Sequence, residues 1–276
     1  MESPAIAQAQ TVSQRRFTVV QLPVFSIVAE SLMMPFKYLP ELVKFGQMPF
    51  VLILAIDLLC YGMLRQDVSS TVTTNMMNLA HAILFTPFCV AWTMLAIRGR
   101  AAVANHPAFT YSRTQWLYLT AAAAMFVAVL LCVGLPYVAY RYGQRNFESQ
   151  ITVLGGIGFF FGLGLFLIGY VRLAFIFPAI AIGRYAGIAT AWRQTAGNIE
   201  RLAAIFVLSY LPYYLVRLAF EWYMGYHPPG VVEAIRGTID MLLVALATTA
   251  LAGPALAYKM LVLTQPPAAA TSNVIG

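Results

Sequence analysis

Charged residues are scarce in this chain of 276 residues. They make up 10% of it, whereas 61% is hydrophobic and the mean hydropathy is +0.75. A soluble domain carries about 25% charged residues. The excess apolar surface has no place inside a globule of this size, so a water-soluble protein is excluded. The same composition excludes disorder for most of the chain, because disordered segments are poor in apolar residues.

Long polar stretches are also lacking. A separate soluble domain needs roughly 100 residues, and no polar run in the sequence approaches that length. A transmembrane helix takes about 20 residues, so the length permits six or seven spans with short connections. The sequence therefore predicts an all-α, polytopic membrane protein.

The residue patterns of familiar active sites are missing as well. There is no H-E-x-x-H, Walker A or G-x-S-x-G pattern. Cysteine and histidine are few and scattered along the chain without a C-x-x-C pair, at Cys60, Cys89, Cys132, His81, His106 and His227. We expect buried structural thiols, no cofactor, no metal site and no conventional enzyme.

The apolar runs predict one membrane domain, 17–263, between disordered tails at 1–16 and 264–276. Six spans in three hairpins are expected, at 48–64, 77–97, 115–140, 151–183, 202–222 and 238–263. The fourth span would be ~50 Å long as a straight helix, so it must tilt, kink at Pro178 or project. Spans four and six both end in a proline, alternating small and large residues and then a base, from Pro178 and from Pro254. This weak repeat fits packed hairpins, and chance accounts for it nearly as well.

Two segments outside the spans have an amphipathic helical period. The first is a proline-interrupted stripe before span one, with apolar positions at Phe25, Val28, Leu32, Phe36, Leu39, Leu42 and Val43. The second is 188–201, whose apolar stripe is Ile188, Trp192, Thr195, Ile199 and Leu202, with Arg193, Gln194, Glu200 and Arg201 facing away. Such helices lie along a membrane surface. For 188–201 we expect Trp192 in the interface and bases such as Arg193 and Arg201 near anionic headgroups, although a structural elbow is the alternative.

The distribution of bases predicts the orientation. Cytoplasmic loops are enriched in Lys and Arg, and an inside N-terminus places most of the 17 bases there: Arg15, Arg16, Lys37, Lys44, Arg98, Arg100, Arg113, Arg184, Arg193, Arg201 and Lys259. Both termini would then be cytoplasmic. Basic charge at a membrane surface points to anionic lipid, and we expect no nucleic-acid partner.

Ionisable residues inside spans are functional candidates because they are costly to bury in lipid. Asp57 and Arg172 lie at similar depths and form a candidate intramembrane pair. Arg217, Glu221 and Asp240 form a candidate polar cluster near the outer surface. These groups either line a polar cavity or neutralise one another to fix helix packing.

Small residues recur on one face of span four, at Gly155, Gly158, Gly162 and Gly169. Such a face lets another backbone approach closely. Two readings stay open: packing within the monomer, for instance against 121–124, or a homodimer seam.

One part of the chain resembles a known bacterial family. The residues that carry the resemblance are Arg172, Pro178-Ala179, Trp192, Thr195, Gly197-Asn198 and the exit Ala257-Tyr258-Lys259. This pattern resembles YciC-like inner-membrane proteins and the membrane domain attached to some glycerophosphodiester phosphodiesterases. The resemblance implies a six-helix bundle in a bacterial inner membrane and no established activity for a stand-alone member. The phosphodiesterase domain has no counterpart in the sequence.

The first functional hypothesis is a non-enzymatic inner-membrane bundle that supports a protein partner, or that senses or organises lipid. The alternative is a small transporter or lipid-handling protein with a site near Asp57, Arg172, Arg217 and Asp240. An intramembrane enzyme using those groups is a third hypothesis. A transporter needs a polar cavity within the bundle, whereas a scaffold does not.

Overall fold

The computed structural model describes 21–64, 70–107, 109–146, 149–185, 187–224, 243 and 246–264, with the side chains of 57–64, 70–78 and 224 outside the description. Throughout this part of the chain the regular structure is helical, without a strand. The helices are α1 Val24–Lys37, α2 Leu39–Leu64, α3 Ser70–Arg98, α4 Arg100–Val103, α5 Arg113–Val129, α6 Leu135–Arg145, α7 Ser149–Leu173, α8 Ile176–Ala181, α9 Ile188–Gln194, α10 Ile199–Met224 and α11 246–258. Five-residue π-helical turns, Leu130–Gly134 and Lys259–Leu263, join α5 to α6 and extend α11.

Six of the described helical stretches are long and apolar enough to cross a membrane: Leu39–Ile56, Leu79–Arg98, Arg113–Arg145, Ser149–Ala181, Ile199–Tyr223 and Leu246–Leu263. This confirms the predicted fold class, an all-α polytopic membrane protein. Consecutive helices pack as hairpins: α2 on α3, α6 on α7, and α10 on α11 through a bond from the Thr249 hydroxyl to the Ser209 carbonyl at 2.9 Å.

The centre of the bundle is formed by α3 and α11. More than half of each of their apolar windows is buried, 56% and 61%, against 6% for α5–α6 and 11% for α7. The indole nitrogen of Trp92 on α3 donates to the Thr248 carbonyl of α11 at 3.0 Å, and both residues are buried. The α6–α7 hairpin therefore lies at the periphery, where its large apolar side chains face lipid.

Part of the glycine face of α7 packs within the monomer, at Gly155 and Gly162. An added Cβ at Gly162 would lie 1.6 Å from the Cys132 carbonyl oxygen, and one at Gly155 would lie 2.4 Å from the Tyr140 nitrogen. The contacts are with the π-turn and α6 rather than with 121–124. The neighbouring backbone already packs against these two glycines, which favours packing within the monomer over a homodimer interface on their face.

The fourth span is interrupted, and the interruption lies four residues before the proposed kink. Helix α7 ends at Leu173, residues 174–175 form a turn, and α8 contains Pro178. Proline has no N–H to bond the carbonyl four residues earlier, which is that of Ala174. The chain then reverses at Gly183, whose φ is +72°. The Arg184 nitrogen bonds the Ala179 carbonyl at 2.8 Å, as in a Schellman cap.

Two predicted segments differ from the structure. Helix α2 begins at Leu39, nine residues before the predicted first span, because the break after α1 falls at Tyr38 and Pro40 is accommodated in the first turn. On α1 the buried side is Ile27, Val28, Ser31, Met34 and Pro35, while Phe25 and Phe36 are exposed. The predicted stripe is therefore divided between the packed side of α1, which includes Val28, and its exposed side.

The predicted continuous helix 188–201 is also wrong, since α9 ends at Gln194 and α10 begins at Ile199. The break contains Gly197, with φ +79°. In and around this break the buried residues are Ala191, Thr195, Asn198 and Leu202, whereas Ile188 and Trp192 are exposed. The tails 1–16 and 265–276, and the start of the sixth span, lie outside the described residues.

Candidate functional site

Arg172 lies where the last turn of α7 meets the short helix α9. Its Nη1 donates to the Trp192 carbonyl at 3.2 Å, and its Cζ lies 5.0 Å from the Trp192 ring centroid. The buried Thr195 hydroxyl lies 3.2 Å from the Arg172 carbonyl and 3.1 Å from that of Ala191, within donating distance of both. These contacts join α9 to α7 and hold the guanidinium against the indole.

The Nε of Arg172 is buried and has no hydrogen-bond partner among the described residues. Every other buried side-chain nitrogen or oxygen in the described chain has one. The ion pairs found there, Arg100 with Glu41 and Arg217 with Glu221, leave Arg172 without a carboxylate. Asp57 lies in α2, and its side chain falls outside the description. The pairing of Asp57 with Arg172 thus stays a prediction.

Helix α9 presents an apolar and basic surface. Ile188 is 58% exposed and Trp192 is 44% exposed, one turn apart, and Arg193 beside them is exposed. Ala191 and Thr195 point the other way and are buried. Exposed Trp and Ile next to Arg is the side-chain set of a helix at a membrane interface. We call Ile188, Trp192, Arg193 and the Arg172 guanidinium the α9 surface.

Ile199 and Arg201, which the sequence assigned to this surface, belong to α10 instead. Ile199 packs against the hydrophobic core. Arg201 donates to the Leu22 carbonyl at 2.8 Å and to Gln21 Oε1 at 2.7 Å, and the Leu22 nitrogen donates to Asn198 Oδ1 at 3.3 Å. Arg201 therefore fixes the segment that precedes α1, and we remove it from the candidate surface.

Several other bases are engaged in structure at the same end of the bundle. Arg98 donates to the Ile182 carbonyl at 2.8 Å, and Lys44 donates to the Ala104 carbonyl at 3.0 Å. Arg100 pairs with Glu41 at 2.7 Å. We call this end, which carries Arg98, Arg100, Arg184 and Lys259, the basic end.

A half-buried phenol closes the loop that follows α4. The Tyr111 hydroxyl donates to the Ile83 carbonyl, which Pro87 leaves without its helical donor. Burial raises the pKa of the Tyr111 phenol, so the hydroxyl stays protonated and remains a donor throughout the physiological range.

The outer polar cluster is placed in part. Arg217 and Glu221 pair one turn apart on α10 at 2.9 Å, and Arg217 also donates to the Tyr213 hydroxyl at 3.2 Å. Both side chains of the pair are more than half exposed. An exposed i, i+4 pair of this kind stabilises a helix by only about 0.3–0.5 kcal/mol. Asp240 lies outside the described residues.

A hydroxyl-lined cavity escaped the sequence reasoning. It has a volume of about 30 Å³, and its mostly apolar lining includes four residues that carry hydroxyl groups, Thr93, Tyr118, Tyr170 and Tyr210. Tyr118 shares a hydrogen bond with Thr93, and Tyr170 shares one with Tyr210. This volume suits one or two water molecules and excludes an organic solute.

The repeated prolines of spans four and six border this cavity. Pro178 and Pro254 both line it, and so do Ala174 and Ala250, whose carbonyls each lie four residues before a proline. Both carbonyls lack the helical N–H that a proline cannot supply. The repeat was visible in the sequence, but only the packing of α8 beside α11 shows that its two copies meet.

The described side chains contain no group of three or more His, Cys, Asp or Glu residues that could hold a metal ion. The chain matches no protein-family model, no curated protein and no solved structure. The resemblance to YciC-like proteins therefore stays a prediction.

Proposed function

We propose that this multi-pass membrane protein is a non-enzymatic bundle that binds anionic lipid through the α9 surface. The carrying observation is the Arg172 guanidinium, which lies against a half-exposed tryptophan without a carboxylate partner in the described chain. A cation beside an interfacial aromatic ring is suited to lipid headgroups.

The neighbouring bases support this assignment by contrast. Arg98, Arg100 and Arg201 are each bonded to carbonyl or side-chain oxygens of the chain itself. Their charges stabilise chain reversals at the basic end. Arg172 and Arg193 also bond carbonyls of the chain, but they adjoin exposed apolar side chains, so their surroundings are those of a membrane contact.

The proposal places the basic end in the cytoplasm, in a bacterial inner membrane. Positive charge accumulates on the cytoplasmic side of membrane proteins, and the anionic leaflet attracts bases close to it. A protein partner at the same end is compatible with this role.

Lipid retention and tryptophan depth test the proposal together. Purification in native lipid, followed by mass spectrometry, is expected to show anionic phospholipid enriched over the bulk membrane. Brominated lipids should quench the fluorescence of Trp192, which is obtained as the difference between the emission of the wild type and that of Trp192→Phe. The buried Trp92 is the internal reference and should be shielded. Equal lipid composition in protein and bulk membrane would contradict the proposal.

A small transporter is the second candidate, and the hydroxyl-lined cavity is the observation that favours it. Two tyrosine-containing hydroxyl pairs lie within the bundle beside two proline-freed carbonyls. The volume of this cavity limits the transported species to water, a proton or a small ion, and a transport role predicts its flux in reconstituted vesicles to fall in Tyr170→Phe and Tyr210→Phe. Flux without lipid enrichment would favour this candidate over the first.

A further inference from the structure

One edge of the Arg172 guanidinium has no hydrogen-bond partner among the described residues. Nη1 is committed to the Trp192 carbonyl, and Nε is buried without an acceptor. In a planar guanidinium the Nε–H and the adjacent Nη2–H point the same way, forming a two-donor edge. Such an edge matches two oxygens of one phosphate or carboxylate. An unpaired buried charged donor is costly, so its surroundings favour an added acceptor.

We propose that this edge binds the phosphate of one anionic phospholipid, and that the Trp192 ring turns aside to admit it. The inference rests on the proposed function and specifies its ligand contact. Nε is shielded from solvent, so an oxygen reaches it only after a neighbouring group moves. Trp192 is the group that lies over the guanidinium, and its exposed side leaves it room to rotate.

The surroundings distinguish a lipid phosphate from a free one. Ile188 and Trp192 expose apolar side chains on the same surface, where acyl chains would pack. Arg193 adds a second exposed base, whose Nε bonds the Ala189 carbonyl at 3.4 Å. A free phosphate would gain nothing from the apolar side chains, whereas a phospholipid contacts both kinds of group.

Thermal unfolding of the full chain in neutral detergent tests the contact. Added phosphatidylglycerol should raise the melting temperature of the wild type more than phosphatidylcholine does. Arg172→Gln should lose most of that difference. Arg113→Gln removes the same charge from an exposed position at the start of α5 and should keep it. Arg172→Lys, which keeps the charge without the planar edge, should retain only part.

The fluorescence emission of Trp192 gives a second test that does not depend on Arg172→Gln folding well. If the ring turns aside, the Trp192 emission should shift on adding phosphatidylglycerol and not on adding phosphatidylcholine. Arg172→Lys should weaken that shift. Inorganic phosphate should neither stabilise the protein nor shift the emission, and equal stabilisation by inorganic phosphate would overturn the lipid assignment.

The outcomes separate the two levels of the proposal. A wild type that gains nothing from phosphatidylglycerol over phosphatidylcholine would overturn the proposed function itself. If phosphatidylglycerol stabilised Arg172→Gln and Arg172→Lys as much as it stabilised the wild type, only the Arg172 contact would be overturned. Lipid binding elsewhere on the α9 surface would remain.

Discussion

Gly162 illustrates how a single missing side chain fixes the peripheral hairpin. Its backbone lies against the Cys132 carbonyl, so that an added Cβ would lie 1.6 Å from the oxygen. Gly164, two residues further on, has no atom within 4 Å of the same added Cβ. The two positions share one helix and one residue type, and they differ in what faces them.

Gly162→Ala is therefore expected to force α7 away from the π-turn and to destabilise the protein by about 1–3 kcal/mol, the usual range for overpacking. Gly164→Ala should be neutral or slightly stabilising, because alanine favours a helix. Thermal unfolding in detergent measures both. Equal melting temperatures for the two variants would show that this close approach does not exist.

Trp92 is the polar anchor of the central helix pair. Its side chain is fully buried, and its indole nitrogen donates to the Thr248 carbonyl at 3.0 Å. Trp92→Phe removes this bond and leaves unfilled volume, and a net hydrogen bond contributes about 0.5–1.5 kcal/mol. We expect a loss of at least that size in denaturant unfolding.

Trp116→Phe is the matched control, because Trp116 is 56% exposed. Its unfolding free energy should stay near that of the wild type. If the Trp92 and Trp116 variants unfolded alike, α3 and α11 would not be the centre of the bundle.

Glycines with positive φ shape the connections between helices. Gly99, Gly183, Gly187 and Gly197 all have φ between +72° and +96°, and each lies beside a helix end. At Gly183, as at Gly99 and Gly187, an added Cβ would meet no atom within 4 Å. Any effect of substitution at Gly183 must come from backbone strain.

Gly183→Ala should destabilise the protein by about 1–2 kcal/mol, the penalty for an L-residue in the left-handed region. Gly169→Ala, also free of contacts, should have the opposite sign, because Gly169 lies inside α7 with ordinary helical backbone. Paired melting curves decide the matter. A destabilised Gly169→Ala beside a neutral Gly183→Ala would reverse the assignment.

The helical elements could be predicted from the sequence to different degrees. Apolar length alone located the six spans, because lipid permits few alternatives to a helix. The break in span four was expected at Pro178, but it begins at the carbonyl that this proline leaves unbonded. The 188–201 segment was harder. A helical period runs from Thr195 to Ile199, and the Gly197 turn that interrupts the helix gives no periodic signal.

The candidate site could be predicted only in part. Arg172, Trp192 and Arg193 stood out by charge and aromatic character in an apolar sequence. Their contact depends on α9 folding back beside α7, which no local pattern specifies. The tyrosine hydroxyls of the cavity come from separate helices, and a tyrosine within a span has the same appearance in the sequence whether it faces lipid or a cavity.

Considered as a whole, the molecule combines a buried centre of α3 and α11 with a basic end built from chain reversals. The arginines there serve two purposes, since most only bond carbonyls of the chain, whereas Arg172 bonds one carbonyl and keeps a second edge without a partner among the described residues. An anionic lipid contact at this end requires that it face the negatively charged leaflet. The orientation of the bundle is therefore the central claim of the account.

Labelling of single introduced cysteines with an impermeant maleimide tests that claim most directly. Ala101→Cys lies exposed at the basic end, in α4, and Ser149→Cys lies exposed at the start of α7, at the other end of the α6–α7 hairpin. Cells that express each variant are labelled intact and after permeabilisation, with the parent chain as the control for its natural cysteines. We predict that position 149 reacts in intact cells and that position 101 reacts only after permeabilisation. Reaction of position 101 from outside, with position 149 protected, would contradict the orientation and with it the proposed lipid contact.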